Sequence, residues 1–228
     1  MTNKSQHKQR LQRLSKRPGK PGGVRDTNRK EKERGLLDAA LLLFLARGVE
    51  GVSVDDITRA ADVAKGSFYR YFKDQEGLVE ALVGPSRQVL IDAFDEASQA
   101  LEKAVDRQLQ FSAYRRIGGA LASLLMEHPG VVRLYLQESR APAVGARRPL
   151  VKLSDEINRI AIDLARKAQQ LRIFKQFPPA VSALTVVGAC EKLILGVLLD
   201  QDVGNPLEVP NALVSLIFDG IGFREQQA

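Results

Sequence analysis

The chain has 228 residues, 44% apolar and 27% charged, which is ample for a packed core and ordinary for a soluble globular protein. One cysteine, Cys190, excludes an internal disulfide framework and multi-cysteine zinc patterns, and two histidines, His7 and His128, leave no His-rich metal site; no metal or cofactor is expected. The net charge of +7 is uneven: residues 1–30 carry ten Lys or Arg and one acid, whereas 31–228 carry 24 basic and 26 acidic side chains.

Residues 1–29 contain glycines and prolines, few large apolar side chains and no steady period, so they are expected to form a disordered basic arm. Such an arm suits attraction to phosphates, but a solubility tail and an Arg-rich organelle-targeting peptide have the same composition. No hydrophobic stretch follows it, so it is not a secretory signal. No apolar run reaches the roughly 18 residues of a membrane span; the nearest, Ala180 to Leu199, carries Glu191 and Lys192 at its middle. A cytoplasmic protein without a membrane partner is expected.

From Lys30 onward the chain reads as successive helices. In 30–47, Leu36, Ala40, Leu43 and Phe44 share one face, and Gly48 ends the segment. A short helix follows Ser53, whose Asp56 three residues on gives the S-x-x-D look of a capping box; Val54, Ile57, Ala60 and Ala61 face inward. Asp62-Val63-Ala64 breaks this helix, and another begins near Lys65. Its anchors are Phe68 and Phe72, four apart, which leaves Lys65, Ser67, Tyr69, Arg70 and Tyr71 largely outside. Longer helices are expected near 75–104, kinked or interrupted at Pro85, and at 106–127, 129–140, 149–172, 179–200 and 206–224. Pro129, Pro149 and Pro179 suit first-turn positions, and 141–148 is the most loop-like internal stretch. The last two helices are apolar almost all round, which suggests burial against a second copy of the chain. Gly188 and Gly196 would allow close helix packing.

The fold class is therefore all-α, with a basic arm (1–29), an N-terminal three-helix domain with a helix-turn-helix (30–84), and a C-terminal helical bundle (85–228) whose last two helices suit dimerisation. Two short helices joined by a tight turn match a helix-turn-helix, in which the last helix offers its outer face to the major groove. That face holds Lys65, Gly66, Ser67, Tyr69 and Tyr71, small, basic or hydroxylated groups able to approach phosphates and base edges. Phe68 and Phe72 read as core.

The run from Ser53 to Leu78, SVDDITRAADVAKGSFYRYFKDQEGL, resembles the DNA-binding signature of the tetracycline-repressor (TetR/AcrR) family, and the likeness covers about 30–84. The remainder matches only in helix count and in the stretch HPGVVRLYLQES. The resemblance implies an all-helical homodimer that represses transcription from a palindromic operator and is released by a small molecule held in the C-terminal domain. Carried over, Ser53 would cap the second helix and touch a phosphate, Lys65, Gly66 and Ser67 would lie over the bases, Tyr69 and Tyr71 would anchor phosphates, and Lys73 would add a backbone contact. Asp62 stands where the family often has glycine, which Asp tolerates. Ala64 replaces a frequent serine cap, and Gln75 replaces a usual lysine, which puts one phosphate contact in doubt.

Residues 31–84 hold seven Lys or Arg against ten acids, so long-range attraction to DNA falls to the arm, expected along or inside the minor groove. The effector pocket is expected among the helices of 75–172, with Phe111, Tyr114, Tyr135 and Glu138 as candidate ligand contacts; Phe111 and Tyr114 read equally well as core and Glu138 as surface. The homodimer is expected through helices 179–200 and 206–224. Two other classes compete. An enzyme lacks support, since no phosphate-binding G-x-x-x-x-G-K-[ST], no G-x-S-x-G and no plausible Cys/His pair is present, and no catalytic residue is assigned. A helical interaction protein whose arm binds nucleic acid or membrane without sequence preference is the alternative, separable by its lack of a preferred duplex.

Overall fold

The computed structural model describes residues 24–205 and 208–220, which form nine α-helices and one short 3-10 turn, with no β-strand among the described residues. Helices α1 (Val24–Arg47), α2 (Val54–Ala60) and α3 (Lys65–Phe68) are followed by α4 (Gln75–Lys103), α5 (Arg107–Glu127) and α6 (Pro129–Glu138). After the 3-10 turn Gly145–Arg147 come α7 (Arg148–Gln170), α8 (Pro179–Leu198) and α9 (Val209–Gly220).

The largest difference from expectation lies at the start. Helix α1 begins at Val24 rather than Lys30, so residues 24–29 are helical and do not belong to a disordered arm. Beyond Gly22 and Gly23 nothing interrupts the helix, which propagates outward from the face anchored by the buried Leu36, Ala40 and Phe44. The rest of the arm, 1–23, lies outside the described residues, as does the end of the helix expected at 206–224.

At Pro85 the chain is not interrupted. Helix α4 runs unbroken from Gln75 to Lys103 through it. Proline removes one N–H from the ladder, but α4 is held along its length by α5 on one side and α7 on the other. The Arg87 guanidinium grips Glu156 of α7 through two 2.6 Å hydrogen bonds, and Lys167 of α7 reaches Glu102 at 2.6 Å near the far end. As expected, Pro129, Pro149 and Pro179 occupy the first turns of α6, α7 and α8.

The core forms two main clusters. In the first, Phe44, Ile57, Phe68 and Phe72 pack with Leu78 and Val83 of α4 and with Leu134 and Leu150 beyond it, so the three N-terminal helices rest on the bundle through shared apolar burial. The second is aromatic: Phe174 and Phe218 lie around Tyr114 with ring centroids 5.4 to 5.7 Å apart, and Phe111 packs on Phe218. The apolar all-round character of the last two helices is visible as exposure: Val181 and Leu184 of α8 and Leu216 of α9 stand in solvent, Leu216 at 69%. Helix α8 is long and apolar enough, by length and composition alone, to cross a membrane. That corrects the expectation that no segment qualifies: Glu191 and Lys192 are too few to lift the run out of that class. In the fold, Glu191 is held within the bundle by Tyr135 and Arg140.

Candidate DNA interface and ligand cavity

Helix α2 is fixed at its start by a reciprocal capping box. The Asp56 amide donates to Ser53 Oγ at 3.2 Å, and the Ser53 amide and hydroxyl donate to Asp56 Oδ2 at 3.0 and 2.6 Å. Asp fulfils here the part more often played by Glu. The Ser53 hydrogen bonds are the first cause of an Asp56 carboxyl held below its ordinary value, with Arg47 and Arg59 adding to it. At the other end Asp62 adopts φ +51°, the left-handed turn that the sequence assigns to it. Ala64 sits at the N-cap of α3 and supplies no side-chain hydrogen bond.

Helix α3 is a single turn. Phe68 is fully buried and Phe72 nearly so, with their rings 5.6 Å apart, while Lys65, Gly66, Tyr69 and Lys73 are exposed. Ser67 and Tyr71 are half-buried, which corrects their outward assignment. The regular helix ends at Phe68, hydrogen-bonded turns carry the chain on to Phe72, and Tyr71 leans on the core beside Phe72 at 6.4 Å between rings. Lys65 is not a loose cation: its ammonium pairs with Asp55 Oδ1 of α2 at 2.7 Å, which raises its pKa.

Two groups outside the expected DNA contacts brace this face. Gln75 donates from Nε2 to the carbonyls of Val49 at 3.1 Å and Val52 at 3.0 Å, stitching the start of α4 to the turn between α1 and α2. Its amide thus serves the fold at the place where a lysine was expected to meet DNA. Glu138, expected as a ligand contact, is buried and faces the N-terminal helices instead. Its carboxylate accepts the Arg147 Nε at 2.7 Å and the Val49 amide at 3.3 Å. Gly48 has φ +74°, so the turn after α1 favours glycine, and a side chain there would also press on that carboxylate at 3.2 Å.

The bundle encloses a cavity of about 340 Å3. Its wall is mainly aliphatic, from Leu90 and Leu121 through Ile157 and Val187 to Leu213, drawn from α4 to α9. Of the four expected contacts, Tyr114 and Tyr135 line it. Phe111 does not, because its ring is spent on Phe218 in the aromatic cluster, and Glu138 does not, because α6 turns it toward Val49. The Tyr135 hydroxyl donates to Glu191 Oε1 at 2.7 Å, and Arg140 meets the other Glu191 oxygen at 2.7 Å. The Tyr114 hydroxyl is buried without a hydrogen-bond partner. Burial pushes both phenols above their ordinary range, and pushes the Cys190 thiol, also in the lining, up to about 11.

A short capped helix, a left-handed turn and a one-turn helix with its polar face in solvent define a helix-turn-helix protein of the nucleic-acid-binding kind. Residues 36–82 match the family described as bacterial regulatory proteins, tetR family. It is 36% identical over 67 residues to the transposon Tn10 TetC protein of Escherichia coli, covering 29% of this chain and 34% of that one. Identity to the A-factor receptor protein of Streptomyces griseus is 27% over 157 residues, 68% of this chain and 51% of the relative. Among solved structures, NalD of Pseudomonas aeruginosa, described as the secondary repressor of a multidrug efflux pump, superposes with a TM-score of 0.64 at 18% identity, over 86% of this chain and all of that one. This last likeness is one of fold. The chain spans between about a third and a half of the length of these curated relatives.

Proposed function

We propose that the protein is a ligand-responsive transcriptional regulator, acting as a repressor, that binds a palindromic DNA operator as a homodimer and is released by a small molecule in the bundle cavity. The observation that carries this reading is a single helix, α4, that shares the buried core of the helix-turn-helix through Leu78, Val79 and Val83 and lines the cavity with Leu90 and Phe94. Ligand and DNA then bias the same element, and each weakens the other by the same factor, about 5- to 150-fold for couplings of about 1–3 kcal/mol. Lys65, Gly66 and Ser67 meet the bases; Ser53, Tyr69, Tyr71 and Lys73 contact the phosphate backbone.

Dimerisation through α8 and α9 is supported by the exposed Val181, Leu184 and Leu216, which a second copy would cover. Two recognition helices held about 34–36 Å apart then read half-sites one helical turn apart. The DNA-binding unit extends over about 30–84, the ligand and dimer unit over 85–228, and the residues before α1 add phosphate contacts. Its place of work is the compartment that holds the DNA, the bacterial cytoplasm.

Selection from a pool of random duplexes with the purified full chain tests this. The expected result is one inverted repeat, bound at least ~10³-fold better than the unselected pool. Equal retention of all duplexes would instead identify a sequence-independent binder driven by its basic N-terminal residues.

A further inference from the structure

Resting on the ligand-responsive reading above, we infer that the cavity takes a neutral, lipophilic molecule with one hydrogen-bond acceptor, such as a ketone or an ester, and that the Tyr114 hydroxyl donates to it. The first support is the wall, whose aliphatic side chains give a volume of about 340 Å3, within the roughly 300–1,000 Å3 range of ligand pockets. The second is the orphaned phenol. A buried hydroxyl without a partner forfeits a hydrogen bond that water would supply, and the Tyr114 oxygen is the buried side-chain atom in that condition among the described residues. Burial also keeps this phenol protonated, so it meets a ligand as a donor.

The third support is charge. Among the described residues no Lys, Arg or His lines the cavity, and the one carboxylate that does is Glu191. A carboxylate or phosphate ligand would be buried without a counter-charge and beside a like charge, which the wall cannot repay. An ammonium ligand fares little better, because Glu191 already accepts from the Tyr135 hydroxyl and from the Arg140 guanidinium. What remains is an uncharged acceptor at the Tyr114 end of an apolar body.

The test is titration calorimetry of the full chain at neutral pH with 2-nonanone, nonanoate, nonylamine and, lacking any acceptor, butylbenzene. The expected result is that 2-nonanone binds at least about thirtyfold tighter than nonanoate or nonylamine. In Tyr114→Phe, 2-nonanone should lose several-fold to about tenfold in affinity while butylbenzene keeps its own. Nonanoate or nonylamine matching the ketone, an unchanged ketone affinity in the variant, or failure of every probe to bind would each overturn the ligand class. Operator binding is measured in the same samples: a ketone that binds as expected yet leaves operator affinity unchanged upholds the ligand class and overturns the ligand-responsive reading.

Discussion

Glu138 and Val49 stand 89 positions apart in the chain, yet the Val49 amide donates to the Glu138 carboxylate at 3.3 Å. The same carboxylate holds Arg147 at 2.7 Å, with both side chains largely out of solvent. Helix α6 thereby touches the turn after α1 with one residue and the cavity with another, Tyr135. Replacing Glu138 by Gln keeps an acceptor for Val49 but leaves the Arg147 cation without its counter-charge. Urea unfolding should show a loss of about 2–3 kcal/mol, below the roughly 3–5 kcal/mol of fully buried pairs because Arg147 keeps some contact with water. A loss under about 0.5 kcal/mol would show the pair to be structurally idle.

Gln75→Ala removes two hydrogen bonds at once and leaves the Val49 and Val52 carbonyls unanswered. The expected cost is about 1–2 kcal/mol in the same assay, with operator affinity of the folded protein changed by less than about threefold. A large drop in affinity without loss of stability would mean that Gln75 contacts DNA directly.

The two short helices differ in their caps, and the difference is measurable. Ser53→Ala deletes the cap of α2 and should destabilise by about 1 kcal/mol. Ala64→Ser supplies the cap that α3 lacks and should stabilise by roughly 0.5–1 kcal/mol. Chemical denaturation midpoints should move in opposite directions for the two variants.

The hydrogen bonds from Arg87 come first among the causes that hold the Glu156 carboxyl below its ordinary value near 4.5, and the nearby charges of Arg87 and Arg159 reinforce them. A carboxyl depressed in the folded state contributes stability that is complete above about pH 4.5 and is lost as pH falls through the lower folded value. Stability of the wild type should therefore decline more steeply in that acid window than stability of Glu156→Gln, which has nothing to titrate there. Parallel pH profiles would refute the assignment.

Residues 1–23 contain seven Lys or Arg and no acid. Deleting them should flatten the plot of log K against log salt by about 0.9 for each phosphate that the arm neutralises, while the selected operator stays the same. An unchanged slope would remove the arm from the interface.

Much of the fold was legible because helices announce themselves locally: the i, i+4 spacing of Phe68 and Phe72, the Ser53–Asp56 box, and the prolines at the starts of α6, α7 and α8. What stayed hidden depends on partners distant in the chain. Nothing near Glu138 reveals that its carboxylate will meet Val49, and nothing near Phe111 says that Phe218 will claim its ring. Lys65 read as an outward cation because Asp55, its partner, lies across a turn. Tyr71 read as exposed because the spacing of α3 was extended past the point where the helix ends. The cavity itself was anticipated only as a region, and of its polar groups Tyr114 and Tyr135 stood out as aromatic faces in otherwise aliphatic helices, whereas Glu191 was noticed only as an interruption of an apolar run.

The unbroken course of α4 has one more consequence. At about 1.5 Å per residue its 29 residues make a helix about 43 Å long, which Pro85 does not interrupt. Swinging such a lever by only about 5° sweeps its tip through about 4 Å, more than the roughly 3.4 Å that separates neighbouring base pairs. Under the proposed function, a molecule wedged near the middle of the bundle therefore has no need to melt anything in order to throw the reading head out of step.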